Sequence, residues 1–205
     1  MDTADLRWHS PAAERNRQAI LDVLLSWLPA EGTALEVACG SGQHACHLAA
    51  GLPGWAWWPT DPEPEALAST AAWAAEAGLA NVQPPQRLDV TVEPWPLAGP
   101  AAPDLVFCAN MVHIAPWAAG VALIHGAALR LAPAGALVLY GPFLATGGTD
   151  AAGNLAFDAD LRQRNAAWGV RTLAAVVAEA QRNGLHLRQR AAMPANNLML
   201  LFQRG

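Results

Sequence analysis

The sequence predicts a doubly wound α/β domain, in which helices cover both faces of a mostly parallel sheet. Strand-like and helical segments alternate along the 205 residues, which is typical of this architecture. A short apolar strand, Leu35–Ala38, leads directly into a glycine turn, and apolar residues recur at helical spacing from Gln43. No repeat or linker interrupts the chain, so we expect residues 1–205 to form a single domain. Ligands of such sheets bind at the carboxyl ends of the strands.

Composition and charge argue against several classes of protein. The net charge of −5 disfavours non-specific binding of nucleic acid, which depends on clustered Lys and Arg. Three scattered cysteines predict no disulfide framework and favour a reducing compartment, so we expect a cytoplasmic protein. No uninterrupted apolar stretch approaches the roughly 18 residues that a membrane span needs. Residues 1–9 carry acids and lack the apolar run of a signal peptide, and we expect them to form a flexible tail.

The first predicted helix covers residues 10–28. Ser10 is suited to cap its N-terminus, Pro11 to occupy its first turn, and Pro29 ends it. Apolar residues between positions 20 and 28 mark one buried face. Its first turns carry Arg15 and Asn16. Two interpretations remain open for them: a solvated helix face, or a lid that places these side chains over a bound substrate.

The glycine turn is the most informative stretch. Gly40, Ser41 and Gly42 present backbone N–H groups at the end of the first strand, and Glu36 lies just before them. The dinucleotide fingerprint requires a further glycine three residues on, and an alanine stands there. The pattern is closer to acid-x-Gly-x-Gly-x-Gly and resembles the cofactor turn of class I S-adenosylmethionine-dependent methyltransferases, with Ala38 at the first glycine. The resemblance implies that this turn and Glu36 bind the cofactor; the alternative is an ordinary strand-to-helix turn.

Acids follow the second and third predicted strands. Asp61 ends the strand that begins at Trp55 and lies 19 residues after Gly42, an offset suited to an acid that binds both ribose hydroxyls. It is equally suited to cap the next helix, predicted over 66–77. Asp89, with Val90 beside it, ends the strand predicted over 82–89. Its carboxylate is placed to accept a hydrogen bond from an adenine amino group, or it is a plain loop residue.

Polar side chains also end the fourth and fifth strands. The fourth strand, 103–110, ends at Asn110, and His113 follows it; after a helix over 121–131, the fifth strand, 135–140, ends at Tyr140. We assign Asn110 to the cofactor site. His113 is the best candidate for a general base, with a structural hydrogen bond as the alternative. Tyr140 either orients the substrate or fills the cleft.

The last part of the chain predicts an excursion over 146–169 with a short helix near 157–164. A helix over 173–183 and two terminal strands, 185–190 and 198–203, follow. Asn196 and Asn197 precede the last strand. They suit either a turn or a polar contact to the substrate.

A metal site is not expected. Cys39, Cys46, His44 and His47 lie in or just after the glycine turn, but no Cys-x-x-Cys pair accompanies them. Packing beside the cofactor explains them better than metal ligation.

Several strings resemble the DUF938 family, which includes the methyltransferase-like 26 proteins. These strings are Ser10–Asn16, Asn110–Trp117, Leu139–Phe143, Asn154 with Phe157-Asp158, Trp168-Gly169 and Met193–Asn197. The resemblance covers nearly the whole chain. It implies a Rossmann-like sheet of seven strands, mostly parallel with an antiparallel C-terminal strand, and S-adenosylmethionine as the cofactor.

The expected function is methyl transfer from S-adenosylmethionine to an O, N or S atom of a small molecule. The Asp/Asn-Pro-Pro-Tyr/Phe string of many amino-methylating enzymes is missing after the fourth strand, where Asn110-Met111-Val112-His113 stands. With the acidic charge, this favours a small-molecule partner over nucleic acid. Two alternatives remain: a non-catalytic module that binds the cofactor as a sensor or scaffold, and another enzyme that binds an adenosine nucleotide, such as a dehydrogenase.

Overall fold

A computed structural model describes residues 5–145 and 151–205. Seven strands form one sheet: β1 Gly32–Val37, β2 Trp55–Asp61, β3 Gln86–Arg87, β4 Leu105–Ala109, β5 Ala136–Pro142, β6 Leu185–Met193 and β7 Asn197–Arg204. The described helices are α1 Pro11–Trp27, α2 Gln43–Gly51, α3 Pro64–Glu76, α4 Trp117–Arg130, α5 Ala152–Arg164 and α6 Leu173–Arg182. Single 3₁₀ turns cover Met111–His113 and Pro194–Asn196.

The sheet has the strand order β3-β2-β1-β4-β5-β7-β6. Strands β1 to β5 pair in parallel, and β7 runs antiparallel to both β5 and β6. This arrangement confirms the predicted seven-stranded, mostly parallel sheet with an antiparallel C-terminal strand. The chain order reverses between β1 and β4, so the carboxyl ends of these two strands form the crevice where ligands of doubly wound sheets bind.

Alternate side chains of the central strands enter two separate cores. Leu35 and Val106 face a cluster built with α4 and α6, whereas Ala34 and Phe107 face one built with α1 and α2. Each of these four side chains is completely buried. Burial on both faces explains why the central strands read as continuous apolar runs rather than as alternating ones.

Strand β3 is much shorter than the predicted segment 82–89. Only Gln86 and Arg87 pair with β2, while Val82 forms a single isolated bridge to Trp57. Pro84 and Pro85 lie between these two contacts, and proline has no N–H to donate to a ladder. The prolines therefore interrupt the pairing with β2.

Three helices begin earlier than predicted, and one of them, α4, starts at Trp117 rather than at residue 121. Helix α3 starts at Pro64 rather than at residue 66, because proline suits the first turn of a helix. Helix α5 starts at Ala152, five residues before the predicted start, although Gly153 and Asn154 are poor helix formers. The Asn154 side chain donates to the carbonyl of Asn196, so a tertiary contact holds this turn. Residues 146–150 of the predicted excursion lie outside the described residues.

The segment before α1 lies against α3. The backbone N–H of Trp8 donates to Ser69 Oγ at 2.8 Å, and Trp73 Nε1 donates to the carbonyl of Trp8 at 3.0 Å. His9 packs edge-on against the Trp73 ring. These contacts fix the chain just before α1, while residues 1–4 of the expected flexible tail lie outside the described residues. No helix in the described ranges is long and apolar enough to cross a membrane.

Candidate functional site

A cavity of about 990 Å³ lies at the carboxyl ends of β1, β4 and β5. Helices α1 and α5 and the 194–197 segment form its outer walls. It gathers predicted site residues from five separate regions: Arg15, Asn16, Gly40, Ser41, Asn110, His113, Tyr140, Asn196 and Asn197. The predicted residues Glu36, Gly42, Asp61, Asp89 and Val90 do not line it.

The glycine turn combines three left-handed residues. Ala38, Gly40 and Gly42 have φ values of 59°, 54° and 81°. A Cβ on Gly40 would meet no heavy atom within 4 Å, so this backbone is open on the cavity side. A Cβ on Gly42 would lie 2.5 Å from the Cα of Thr70. Gly42 is thus required for close packing of the turn against α3, whereas Gly40 offers the open approach to a ligand.

Gln43, at the start of α2, ties the glycine turn to α1. Its Oε1 accepts hydrogen bonds from the Ser10 backbone N–H and from Ser41 Oγ, and its Nε2 donates to Glu14 Oε2. Because Ser10 caps α1, these contacts fix the start of α1 beside the turn. The sequence gives no signal for this role of Gln43, since glutamine at this position belongs to no recognised motif.

The Asp61 carboxylate binds the backbone of the glycine turn. Its Oδ2 accepts the Gly40 N–H at 2.9 Å, and its Oδ1 accepts the Glu63 N–H at 3.0 Å. Its exposed fraction is 6%. The acid thus binds the residue that precedes α3, and its expected contact with a cofactor ribose stays a prediction.

Glu36 is buried between β1 and β2. Its Oε2 accepts a hydrogen bond from Trp57 Nε1 at 2.6 Å. Loss of solvation raises the pKa of this carboxyl to about 8, although the Trp57 hydrogen bond acts in the opposite direction. The side chain is therefore mostly protonated at neutral pH. Glu36 does not line the cavity, and its expected contact with the cofactor stays a prediction.

Asp89 and Val90 lie beyond the end of β3. Asp89 is exposed, and its Oδ1 accepts hydrogen bonds from the backbone N–H and the Oγ1 of Thr91 at 2.9 and 2.7 Å. These bonds lower the pKa of Asp89. Val90 is buried in the α4 and α6 core. The adenine contact expected of this pair stays a prediction.

His113 is buried in the cavity wall without a hydrogen-bond partner. Asn110, with a left-handed φ of 64°, starts the 3₁₀ turn that carries His113 inward. Gly141 makes room for the ring, since a Cβ there would clash with Nε2, and Phe143 packs edge-on at 5.1 Å between ring centroids. Neither ring nitrogen has a partner among the described residues. Buried polar atoms normally have one, so this ring indicates a position for a ligand or water.

The environment of His113 keeps its ring neutral. Burial, followed by the nearby charge of Arg171, lowers the pKa of His113 to about 3. Arg171 also braces the turn, because it donates to the carbonyls of Val112 and Ala115. A neutral imidazole carries one N–H donor and one acceptor nitrogen.

Three further polar side chains meet at the inner end of α1. The ring Nε2 of His44 lies 2.7 Å from Asn16 Oδ1, and Asn16 and Tyr140 line the same cavity. Burial raises the pKa of the Tyr140 phenol, and the nearby Asn16 amide opposes that rise. His44 was predicted only as a packing residue, because nothing in the sequence pairs it with Asn16, 28 positions earlier.

The outer wall carries both amides and apolar groups. Asn196 has a left-handed φ of 58°, and Asn197 Nδ2 donates to the Pro194 carbonyl, so both belong to a tight turn. Both residues also line the cavity. Their place in a turn therefore does not prevent a contact with the substrate, and that contact stays a prediction. Arg15 is exposed at the rim and makes no ion pair with the described residues. Within the described ranges, no cluster of three His, Cys, Asp or Glu residues is arranged to hold a metal.

The fold is that of methyltransferases with a Rossmann-like sheet. The chain matches an O-methyltransferase family 2 protein from Planctomyces limnophilus DSM 3776, solved in complex with apigenin, with a TM-score of 0.81 at 20% identity, covering 95% of this chain and 58% of that one. An O-methyltransferase family protein from Burkholderia thailandensis matches with a TM-score of 0.75 at 17% identity, and the match covers 95% of this chain and 57% of that one. A third match is NcsB1, an O-methyltransferase from neocarzinostatin biosynthesis solved with S-adenosylmethionine and 2-hydroxy-5-methyl naphthoic acid. Its TM-score is 0.73 at 16% identity, and the match covers 95% of this chain and 55% of that one. The chain thus spans little more than half the length of these proteins.

Five of the six strings that resemble DUF938 contribute residues to the cavity wall, and Trp168-Gly169 does not. The Ser10–Asn16 string starts α1, the Asn110–Trp117 string carries His113, and the Met193–Asn197 string forms the outer wall. The family model described as "Protein of unknown function (DUF938)" matches residues 7–204, and the chain belongs to this family.

Proposed function

We propose that this protein is an S-adenosylmethionine-dependent methyltransferase that acts on an O, N or S atom of a small molecule. One observation carries the proposal: a single cavity joins the open backbone of the glycine turn at Gly40 to the buried, unpartnered ring of His113. A cofactor at the turn and an acceptor at the ring would share this cavity. Transfer of a group between two bound molecules requires that arrangement.

The residues present fit S-adenosylmethionine. Gly40 and Ser41 line the cavity, and Gly40 leaves space where a side chain would stand. Each Asp61 oxygen accepts one backbone hydrogen bond and keeps a second lone pair for a ribose hydroxyl. Asn110 adds an amide on the β4 side. When bound, the cofactor supplies a methyl group activated by its sulfonium charge.

His113 is proposed to hold the acceptor. An ideal general base has a pKa near the working pH, and each unit below it costs about 1.4 kcal/mol. With a pKa lowered to about 3, His113 is better suited to accept a hydrogen bond from a hydroxyl or thiol than to remove its proton. Complete transfer of the proton to His113 is favoured only for an acidic acceptor. In this proposal the His113 ring contacts the acceptor and positions it for methyl transfer.

A small-molecule acceptor suits the cavity. Ile114, Pro142 and Phe157 give it apolar walls, and its volume is in the upper range for small-molecule sites. The related Planctomyces and neocarzinostatin proteins were solved with apigenin and a naphthoic acid, which supports an organic acceptor of similar size. Three buried, free cysteines fit the reducing conditions of the cytoplasm.

A second candidate function is a cofactor-binding sensor without catalysis. The weak basicity of His113 favours it, because a sensor needs no base. Incubation with S-adenosylmethionine carrying a labelled methyl group and a small-metabolite extract separates the two. We expect label in an extract compound with wild-type protein and not with His113→Leu. Tight binding of S-adenosylhomocysteine without transfer to any extract compound would instead establish the sensor.

A further inference from the structure

The cavity wall carries a charge opposite to that of the whole protein. The chain has 17 Asp and Glu against 12 Lys and Arg, yet in the described part of the wall no residue is Asp or Glu, and Arg15 is the one Lys or Arg. The two histidines of the wall, His44 and His113, are neutral at pH 7, because burial lowers their pKa values to about 4 and about 3. The described wall therefore has a positive charge and no negative charge to balance it.

Three acids come close to wall residues, by sequence or by a hydrogen bond, but none of them forms an ion pair with Arg15. Glu14 pairs instead with Arg17 at 2.5 Å. Asp61 accepts the Gly40 N–H at 2.9 Å. Glu36 is buried, and its raised pKa of about 8 keeps it mostly protonated at neutral pH. The charge of Arg15 is thus left for a ligand of the cavity.

Arg15 lies in the first turns of α1, at the rim of the cavity. Its side chain is exposed and forms no ion pair or hydrogen bond with the described residues, whereas Arg17, two positions on, is paired with Glu14. The neighbouring Asn16 engages its Oδ1 with His44 Nε2 at 2.7 Å, so the N–H₂ group is what this amide offers to further partners. Both wall residues are therefore donors. A guanidinium fits the planar carboxylate group, which accepts two parallel hydrogen bonds from it.

We propose that the methyl acceptor is an organic acid and that Arg15 binds its carboxylate. This inference rests on the proposed function and names the class of acceptor, whose hydroxyl or thiol lies at His113. S-adenosylmethionine brings a net positive charge, because its sulfonium and ammonium groups outnumber its carboxylate. A protonated amine would add to these positive charges, which repel one another in a cavity partly closed to water, whereas a carboxylate offsets them. A single arginine matches the single charge of a carboxylate better than the higher charge of a phosphate.

Fractionation of a small-metabolite extract tests the class of acceptor. Ion-exchange resins at pH 7 divide the extract into acidic, neutral and basic compounds, and wild-type protein is incubated with each fraction and S-adenosylmethionine carrying a labelled methyl group. We expect label in a compound of the acidic fraction that phosphatase does not change. Label confined to neutral or basic compounds, or to a phosphate ester, would overturn the inference.

Variants of two arginines on α1 test the assigned residue. Arg15→Gln should raise the KM of the labelled acid about tenfold and change kcat less than about twofold, because an exposed charge-assisted contact to the bound acid is lost. Arg15→Lys, which keeps the charge without the planar fork, should give an intermediate KM. Arg17→Gln is the matched control, since it removes the same charge from the same helix outside the cavity wall. An unchanged KM in Arg15→Gln, or an equal rise in Arg17→Gln, would contradict the assignment.

The cofactor also has a carboxylate, and calorimetry with S-adenosylhomocysteine distinguishes it from that of the acceptor. The affinity of Arg15→Gln should stay within about twofold of wild type, and a loss of about tenfold would assign the guanidinium to the cofactor and overturn the inference.

Ultrafiltration of the protein with the acidic fraction, followed by mass spectrometry, reports binding of acids without methyl transfer. We expect acids to be retained by wild type and Arg17→Gln and released by Arg15→Gln; retention of none by wild type would refute the acid subsite. Absence of transfer to every fraction would refute the proposed function, whereas acids retained in the same sample would still support the subsite.

Discussion

At the scale of single residues, His113 lines the cavity and also lowers the stability of the fold, because its buried ring nitrogens have no hydrogen-bond partner among the described residues. A buried polar group without a partner destabilises a fold by about 1–3 kcal/mol. An apolar residue of similar size removes that cost. A site residue that is maintained at the expense of stability is a recognised sign of function.

We therefore expect His113→Leu to unfold at higher denaturant concentration than wild type, by about 1 kcal/mol in free energy. Methyl transfer should fall at least about tenfold, while S-adenosylhomocysteine affinity should stay within about twofold, since the residue contacts only the acceptor. Urea titration, labelled-methyl assays and calorimetry measure the three quantities. Lower stability with full transfer would make His113 a structural residue.

Glu36 gives the stability of the fold a distinctive pH dependence. Its pKa is raised to about 8 in the folded protein from the ordinary 4.5, so the folded state retains a proton that the unfolded chain has released. Stability must then fall as the pH rises through this window, by up to about 1.4 kcal/mol per unit. Burial lowers the pKa values of His44, His47 and His113 below 6.5 and gives the opposite slope, which fades within about one unit above pH 6.5 as these histidines lose their protons in the unfolded chain.

The histidines are the same in wild type and in Glu36→Gln, so the difference between these two proteins isolates Glu36 over the interval from pH 6.5 to 8. We expect wild-type stability to decline across it and Glu36→Gln to remove most of the decline, because the amide oxygen still accepts the Trp57 hydrogen bond. Urea titrations at pH 6.5, 7.25 and 8 measure both slopes. Parallel slopes in the two proteins would show that Glu36 is already ionised in the folded state.

At the scale of elements, the two glycines of the turn have different tasks. Gly42 packs against Thr70 of α3, whereas Gly40 is open to the cavity. Both are left-handed, so alanine costs about 1–2 kcal/mol of backbone strain at either position. Only at Gly42 does overpacking against α3 add to that cost.

Gly42→Ala should accordingly lose about 2–4 kcal/mol of stability and Gly40→Ala about 1–2 kcal/mol. Chemical denaturation of the two variants side by side measures the difference. Equal losses would remove the packing role assigned to Gly42.

Sequence patterns predicted elements better than contacts between them. The alternation of apolar segments predicted every strand of the sheet, and the resemblance to a known family added the antiparallel C-terminal strand. The length of β3 and the start of α5 were missed, because two prolines and a contact from Asn154 to the Asn196 carbonyl decide them. Gly42 and Thr70 are close only after α3 folds back, so the packing reason for that glycine was not predictable.

At the scale of the whole molecule, strand order explains why distant residues meet. Arg15, Asn110, Tyr140 and Asn197 lie far apart in the chain, yet parallel strands and a turn before β7 bring them to one cavity. Placement at strand ends predicted this convergence. It did not predict that Glu36 and Asp61 do not line the cavity wall, because the bonds from the Trp57 side chain to Glu36 and from the Gly40 N–H to Asp61 form only in the folded structure.

The central claim is that the cavity at Gly40 binds S-adenosylmethionine. Calorimetry with S-adenosylhomocysteine, with NAD as the competing nucleotide and Gly40→Val as the blocked variant, tests it most directly. We expect saturable binding of one S-adenosylhomocysteine per chain, no binding of NAD, and loss of binding in folded Gly40→Val, because a side chain there enters open space on the cavity side. Absence of S-adenosylhomocysteine binding to wild type, or equal binding to Gly40→Val, would contradict the claim.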